Sequence, residues 1–295
     1  VAESVVVRVA GPSATLLVGN REVEAPIAPR LPGGPLVVGD RVDVRRAGRD
    51  LVVTGIRPRA THLERVTGPP GRLRPRTVVA NADLLLVVAA VVDPPLRTWV
   101  VDRYMVAAHA GGLDPALVLT KADLPHDARE VAAVADRYRG LGYPVLVGSA
   151  KSPDLVASVR DLVDGRVAAL AGESGVGKST LVRGLTGVER AVGRVSERGR
   201  TGRHITTDPR LIPLPGGGAI VDTAGVRSFY LPPLDWDDLV AAFPEIAAAA
   251  EGCRFDDCRH SGEKGCAVPG RVSPERLESY RRLLASVGAG PGAVA

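Results

Sequence analysis

The stretch Gly172–Thr180, GESGVGKST, constrains this chain more than any other feature. It fits G-x-x-x-x-G-K-[ST] and lies between an apolar run, RVAALA, and a helix-forming stretch, TLVRGL. Strand, glycine-rich loop and helix in that order build a cradle for phosphates. Backbone N–H groups of Ser174–Lys178 converge at a helix N-terminus, where the aligned peptide dipoles favour negative charge. In that frame Gly172, Glu173, Ser174, Gly175, Val176, Gly177, Lys178, Ser179 and Thr180 form the nucleotide loop. Lys178 is expected to reach the β- and γ-phosphates, and Ser179 to ligate Mg²⁺.

Three other loops follow strand-like runs and complete the site. TKAD (Thr120–Asp123) follows PALVL, and its Asp123 carboxylate can accept from guanine N1–H and N2–H₂. Adenine lacks that donor pair, so a buried Asp123 facing ATP would stay unpaired. The Lys121 stem can lie over the base, and Thr120 stands where Asn is more usual. GSAK (Gly148–Lys151) can present the Ala150 N–H to guanine O6, with Ser149 beside it as a further GTP-binding candidate. DTAG (Asp222–Gly225) fits D-x-x-G, with Asp222 near Mg²⁺ and the Gly225 N–H near the γ-phosphate. Each loop follows a strand C-terminus, so all can meet on one face of a parallel sheet. The base-reading loop, however, precedes the phosphate loop by roughly fifty residues. That order is a circular permutation, which a fold tolerates when its original termini are neighbours at the surface. It also puts the D-x-x-G switch at the end of its domain, coupled directly to the C-terminal segment.

Composition locates the remaining pieces. Residues 1–80 hold 13 Arg against 7 acidic residues, a net of +6, whereas the rest of the chain is nearly balanced. Such a basic end suits a polyanion, and nucleic acid above all. Within 1–57, SVVVRVA, ATLLV, DRVDVRR and LVVTGI are separated by turn residues, the pattern of a small OB-like β-barrel. Residues 58–77 are rich in Pro, Gly and Arg and read as a linker. Residues 78–233 alternate apolar strands with amphipathic stretches, the signature of an α/β domain. The chain has 4 lysines, and Lys121, Lys151 and Lys178 all fall in the nucleotide loops. The longest apolar run, Leu84–Val92, suits a buried strand and is too short to cross a bilayer. No secretory signal is read at the start, so a cytoplasmic location without membrane partners is expected.

Residues 234–295 hold short helices, one of them near Pro274–Val287 with Ser273 as N-cap, and all three cysteines. Cys253-x4-Cys258-x-His260-x5-Cys266 places three thiols and an imidazole within 14 residues. Three cysteines cannot pair off as disulfides, and Cys₃His is a closed, structural Zn²⁺ set. The metal is expected to fold this segment.

Taken together, the OB-like barrel, the permuted TKAD, GSAK, GESGVGKST and DTAG loops, and the C-x4-C-x-H-x5-C segment resemble the small ribosomal subunit biogenesis GTPase family (ribosome small subunit-dependent GTPase A). The resemblance covers nearly the whole chain. It implies GTP hydrolysis stimulated by the small ribosomal subunit, contact with its rRNA, and a role late in its maturation. A monomer exchanging GTP and GDP is expected. Two positions depart from the family pattern. Ala224 stands where D-T-P-G has Pro, and GRHITT (Gly202–Thr207) has Ile205 where G-x-H-T-T-T has its first Thr. Either Thr206 or Thr207 is then the switch ligand of Mg²⁺. Val226 occupies the place of the water-orienting Gln of Ras-like enzymes and cannot hydrogen-bond water. Slow isolated turnover follows, with His204 as the expected replacement once a partner orders it. Two rival readings are an RNA-binding assembly factor whose hydrolysis is incidental, and an ATP-using enzyme, against which Asp123 argues.

Overall fold

A computed structural model describes residues 4–48, 50–67, 74–187, 209–223 and 236–285. The first five strands are β1 (Ser4–Ala10), β2 (Ser13–Val18), β3 (Arg21–Pro26), β4 (Arg41–Ala47) and β5 (Asp50–Ile56). Their order in the antiparallel sheet is β3-β2-β1-β4-β5. The two outer strands meet: Ile27, just beyond β3, bridges to Val53 of β5, and the Ala28 N–H donates to the Val53 carbonyl at 3.0 Å. The sheet thus closes into a small barrel, as expected, but with five strands, around Val6, Leu16, Ala25, Val42 and Val53. Four of these strands were legible as apolar runs. The fifth, β3, carries Glu22 and Glu24 and buries only Ala25 among its six residues, so it lacks the alternating signal.

The segment expected as a linker contains paired strands. β6 (His62–Thr67) pairs antiparallel with β7 (Arg74–Ala80) in a two-stranded ribbon. The ribbon is locked to the barrel. The Ala80 N–H donates to the Val38 carbonyl at 2.9 Å, and Asn81 Nδ2 donates to the Gly39 carbonyl at 3.0 Å. A Cβ on Gly39 would lie 1.9 Å from the Ala80 carbonyl oxygen, so only glycine fits this close approach. Beside it Arg59 donates to Asp40 through Nε at 2.7 Å and Nη2 at 2.9 Å, with the carboxylate fully buried. Proline and arginine content reads as a linker, yet here Arg59 and the backbone groups beside it are engaged in the junction.

The central sheet has the order β10-β9-β8-β11-β13-β12. Its strands are β8 (Leu84–Ala90), β9 (Asp114–Thr120), β10 (Val145–Val147), β11 (Val167–Ala171), β12 (Arg210–Pro213) and β13 (Ala219–Asp222). All neighbours are parallel except the edge strand β12, which runs antiparallel to β13. β8 shows why a near-continuous apolar run is required. Leu85 and Val87 join the core on one face, while Leu84, Leu86 and Val88 join the core on the other. Helices α1 (Thr98–Ala110) and α2 (Ala128–Gly140) cover the first face. Helices α3 (Pro153–Val163) and α4 (Lys178–Thr186) cover the second. Asp127 caps α2 and Ser152 caps α3, each side chain accepting from a backbone N–H of the first turn.

The C-terminal module comprises α5 (Trp236–Ala241), α6 (Pro244–Ala250) and α7 (Pro274–Leu284), capped by Ser273 with Pro274 at its first position as expected. It packs on α1 through a core of Leu239, Phe243, Ile246, Leu277 and Tyr280 that also includes Val106. No helix among the described residues is long and apolar enough to cross a membrane.

Candidate functional site

The phosphate loop is built where β11 gives way to α4. Gly172 has φ +147, and a Cβ there would lie 2.1 Å from the Val88 carbonyl oxygen, so the chain can pass β8 only as glycine. Gly177, at φ +98, turns the chain into α4 as its N-cap. Lys178 folds back over the loop, its ammonium donating to the Gly172 carbonyl at 2.7 Å and the Glu173 carbonyl at 2.6 Å. Burial lowers its pKa to about 8, against the opposing pull of Asp222 and Glu173. Ser174, Gly175 and Ser179 are exposed, while Val176 is buried beneath them.

The base-reading loops close against this cradle. Thr120 is fully buried at the end of β9, and its hydroxyl lies 2.5 Å from the Val176 carbonyl. The hydroxyl of Thr120, at the position where Asn is more usual, thus links this loop to the phosphate loop. The Ala122 N–H donates to the Gly148 carbonyl at 3.1 Å, tying the TKAD and GSAK loops together. Gly177 lies within van der Waals reach of both Thr120 and Ala150: a Cβ on it would sit 3.5 Å from each. Hydrogen bonding from Ser149 holds the Asp123 carboxyl below its ordinary range, helped by its own backbone N–H and by Lys151 and Lys121. Asp123 itself is exposed, whereas the base-reading expectation had it buried. Lys121, at φ +59, directs its ammonium to the carbonyl of Asp93, whose carboxylate lies 3.6 Å away.

Asp222, which ends β13, and Thr223 just beyond it are buried; the Thr223 hydroxyl lies 2.5 Å from the Leu170 carbonyl, fixing the start of DTAG to β11. The structure sets Thr120, Lys121, Asp123, Ser149 and Ala150 in two loops packed against the Gly172–Thr180 loop, with Asp222 near Lys178. His204, Thr206, Thr207 and Gly225 lie outside the described residues, as do Ala224 and Val226.

The metal ligands also come together. The ligand atoms of Cys253, Cys258, His260 and Cys266 all lie within 4.8 Å of one another. His260 Nδ1 is 3.6 Å from Cys253 Sγ and 3.5 Å from Cys266 Sγ, and those two sulfurs are 4.0 Å apart. A tetrahedron with Zn–S near 2.3 Å and Zn–N near 2.0 Å has edges of about 3.5–3.8 Å, so this donor set fits. Burial pushes the Cys258 thiol up to about 12, so metal binding there releases a proton. The surroundings fix the ligands. The Ala267 N–H donates to Cys253 Sγ at 3.3 Å, and Arg281 Nε donates to the His260 carbonyl at 2.8 Å. Although burial alone would raise it, hydrogen bonds from Ser261, Gly262 and Arg259 hold Glu263 down at about 2, beside Cys258.

A second polar centre joins the module to the nucleotide domain and has no sequence signature. Arg276 of α7 donates to Asp102 of α1 at 2.5 Å, to Glu245 of α6 at 2.6 Å and to the Ala242 carbonyl at 3.0 Å. It lies 4.1 Å over the Phe243 ring, while the Tyr138 hydroxyl donates to Asp102 at 2.6 Å. The only hint is a lone Asp in the apolar run of α1, since its partner stands 174 residues away.

The family model described as RsgA GTPase matches residues 56–232. Small ribosomal subunit biogenesis GTPase RsgA of Ectopseudomonas mendocina (strain ymp) is 41% identical over 261 residues, covering 85% of this chain and 75% of that protein. The protein of that name from Azotobacter vinelandii (strain DJ / ATCC BAA-1303) is 41% identical over 262 residues with the same coverage. Among solved structures, YjeQ from Thermotoga maritima superposes with a TM-score of 0.75 at 25% identity, covering 98% of this chain and 99% of that one. YloQ, described as a circularly permuted GTPase, gives 0.74 at 22% identity, covering 97% and 95%.

Proposed function

The chain belongs to the RsgA GTPase family and is a P-loop hydrolase of GTP, and on that premise we propose that it acts in the biogenesis of the small ribosomal subunit, which stimulates its turnover by ordering the catalytic segment. Its place is then the cytoplasm, where that subunit matures, and its partner surface is rRNA met first by the basic barrel. The observation that carries the nucleotide reading is the Thr120 hydroxyl on the Val176 carbonyl. It ties the loop that reads the base to the loop that holds the phosphates, so one ligand can span both.

In this reading Asp123 and the Ala150 N–H select guanine. Lys178 exchanges its carbonyl contacts for phosphate oxygens, and Ser179, Asp222 and Thr206 or Thr207 would hold the Mg²⁺ that arrives with GTP, which would offset the phosphate charge. His204 orients the attacking water, because Val226 cannot. Catalysis is then mostly positioning and charge stabilisation. Zn²⁺ at Cys253, Cys258, His260 and Cys266 would supply a structural cross-link for the C-terminal module.

The test is turnover of GTP and ATP with and without purified small subunits. Slow GTP hydrolysis alone, strong stimulation by subunits and no ATP hydrolysis are expected. His204→Ala should retain nucleotide affinity and lose the stimulated kcat. Stimulation that survives in His204→Ala would remove this role from it, and equal use of ATP would sink the base-reading assignment. Elemental analysis should find about one zinc per chain, and Cys258→Ser should unfold the module while GTP binding persists.

A further inference from the structure

We propose that Glu22 and Arg210 form the contact through which the N-terminal barrel positions the hydrolytic end of the central sheet; this rests on Asp222 serving the Mg²⁺·GTP site as read above. Arg210 opens β12, and the β12–β13 register sets it directly opposite Asp222. Its backbone is therefore laddered to the residue at the metal. Its side chain reaches the barrel: Nη2 lies 3.1 Å from each carboxylate oxygen of Glu22 in β3. No other described residue combines these two connections.

The mechanical setting makes the contact consequential. β12 is a four-residue edge strand with one hydrogen-bonded neighbour. Such an element is held by the sheet on one side only, and its other edge is left to whatever packs there. The barrel supplies the missing support. β1 packs against β12, and Val5 of β1 joins the cluster that contains Leu211. The other connection, the β6–β7 ribbon, leads into β8, which is separated from β13 by β11. A partner that binds the barrel thus reaches Asp222 through β12, which the barrel holds by the β1 packing and by the one polar side-chain contact that lies a single β-pair from Asp222. Arg210 and Glu22 are half-exposed, so the pair contributes little to stability and can be broken without unfolding the chain.

The experiment uses the full zinc-loaded chain with Glu22→Arg, Arg210→Glu and the two together. Amide hydrogen exchange is compared between GDP and a non-hydrolysable GTP analogue with Mg²⁺. In the wild type the exchange of β3 amides should slow several-fold with the analogue. Each single reversal should abolish that difference, and the double swap should restore it. In parallel, kcat stimulated by small subunits should fall about fivefold in Glu22→Arg, the scale of one exposed ion pair, with its unstimulated turnover and melting temperature unchanged. The swap should recover it to within about twofold. Exchange at β3 that ignores the nucleotide in the wild type, or that still follows it in both single reversals, would overturn the proposal. A wild type whose β3 exchange follows the nucleotide but which subunits fail to stimulate would sink the ribosomal reading and leave this one standing.

Discussion

Two cations drawn out of solvent, the buried Arg276 and the half-buried Lys178, are treated in opposite ways by this fold. Burial would lower the pKa of each. Around Arg276 that effect is outweighed by Asp102 and Glu245, so its pKa is raised. Burial pushes the Asp102 carboxyl up, opposite to what its ion pair asks. The arginine decides the state of the pair, because a guanidinium does not lose its proton and its 2.5 Å contact needs an accepting carboxylate. Lys178, by contrast, is held by two backbone carbonyls, and its pKa falls to about 8. A cation that joins two modules has its counter-charges supplied by the protein. A cation that waits for a polyanion is only partly neutralised, and the ligand completes it.

The largest expected effect breaks the first half of this contrast. Arg276→Ala strands Asp102 at full burial without its counter-ion and should cost about 3–5 kcal/mol of stability in denaturant titration. Arg276→Met combined with Asp102→Leu should recover most of that loss, since a packed apolar pair substitutes well for a buried ion pair. Equal destabilisation by the single and the double variant would show that packing around Phe243 and Tyr138, and not charge pairing, holds the module.

Lys178→Met tests the other half, with the opposite sign. A fall from 10.5 to about 8 corresponds to roughly 3 kcal/mol carried by the charged lysine in the empty fold. The methionine variant should therefore be more stable than the wild type without nucleotide, by up to about that amount. It should bind GTP too weakly to measure. Differential scanning calorimetry with and without GTP reads both. A variant less stable than the wild type in the absence of nucleotide would mean that the two carbonyl contacts outweigh burial and that the contrast with Arg276 is false.

The same contrast explains what the sequence could disclose. Lys178 was legible because its loop is local: nine consecutive residues, a preceding strand and a following helix define its chemistry. The metal ligands, within 14 residues, were legible for the same reason. Arg276 was not, because α7 alone reads as a charged surface helix and its partners come from α1, α2 and α6. Non-local contacts also account for the ribbon. Proline and arginine in 58–77 suggested a loose connector, but the pairing of β6 with β7 and the fit of Gly39 against Ala80 depend on residues from three parts of the chain. β3 escaped because a strand exposed on one side and carrying Glu22 and Glu24 offers almost no apolar periodicity. Asp123 was expected to be buried and is exposed, since a recognition residue's burial belongs to the complex.

The smallest expected effect is a pH dependence that follows from Lys178 alone. Its pKa in the folded chain, about 8, lies below the ordinary 10.5. Between those values the unfolded chain holds a proton that the folded chain has released, so this residue's contribution makes stability rise with pH through that window. Below about pH 8 the lysine is charged in both states and its full cost is present. Nucleotide binding has the opposite sign. Phosphate oxygens favour the ammonium, so the bound lysine regains a high pKa and binding takes up a proton wherever the free site has lost one. At pH 8 the uptake should be about half a proton per GDP bound, read by calorimetry in buffers of different ionisation enthalpy. From pH 7 to pH 8.5 affinity should fall about fourfold, a range that stops short of guanine's own ionisation. Asp123→Asn, which weakens base reading, should show the same fractional fall, because the proton belongs to the phosphate end of the site. Affinity that is flat across this range, with no proton uptake at pH 8, would mean that Lys178 is already satisfied before nucleotide arrives, and the distinction between a joining cation and a waiting one would disappear.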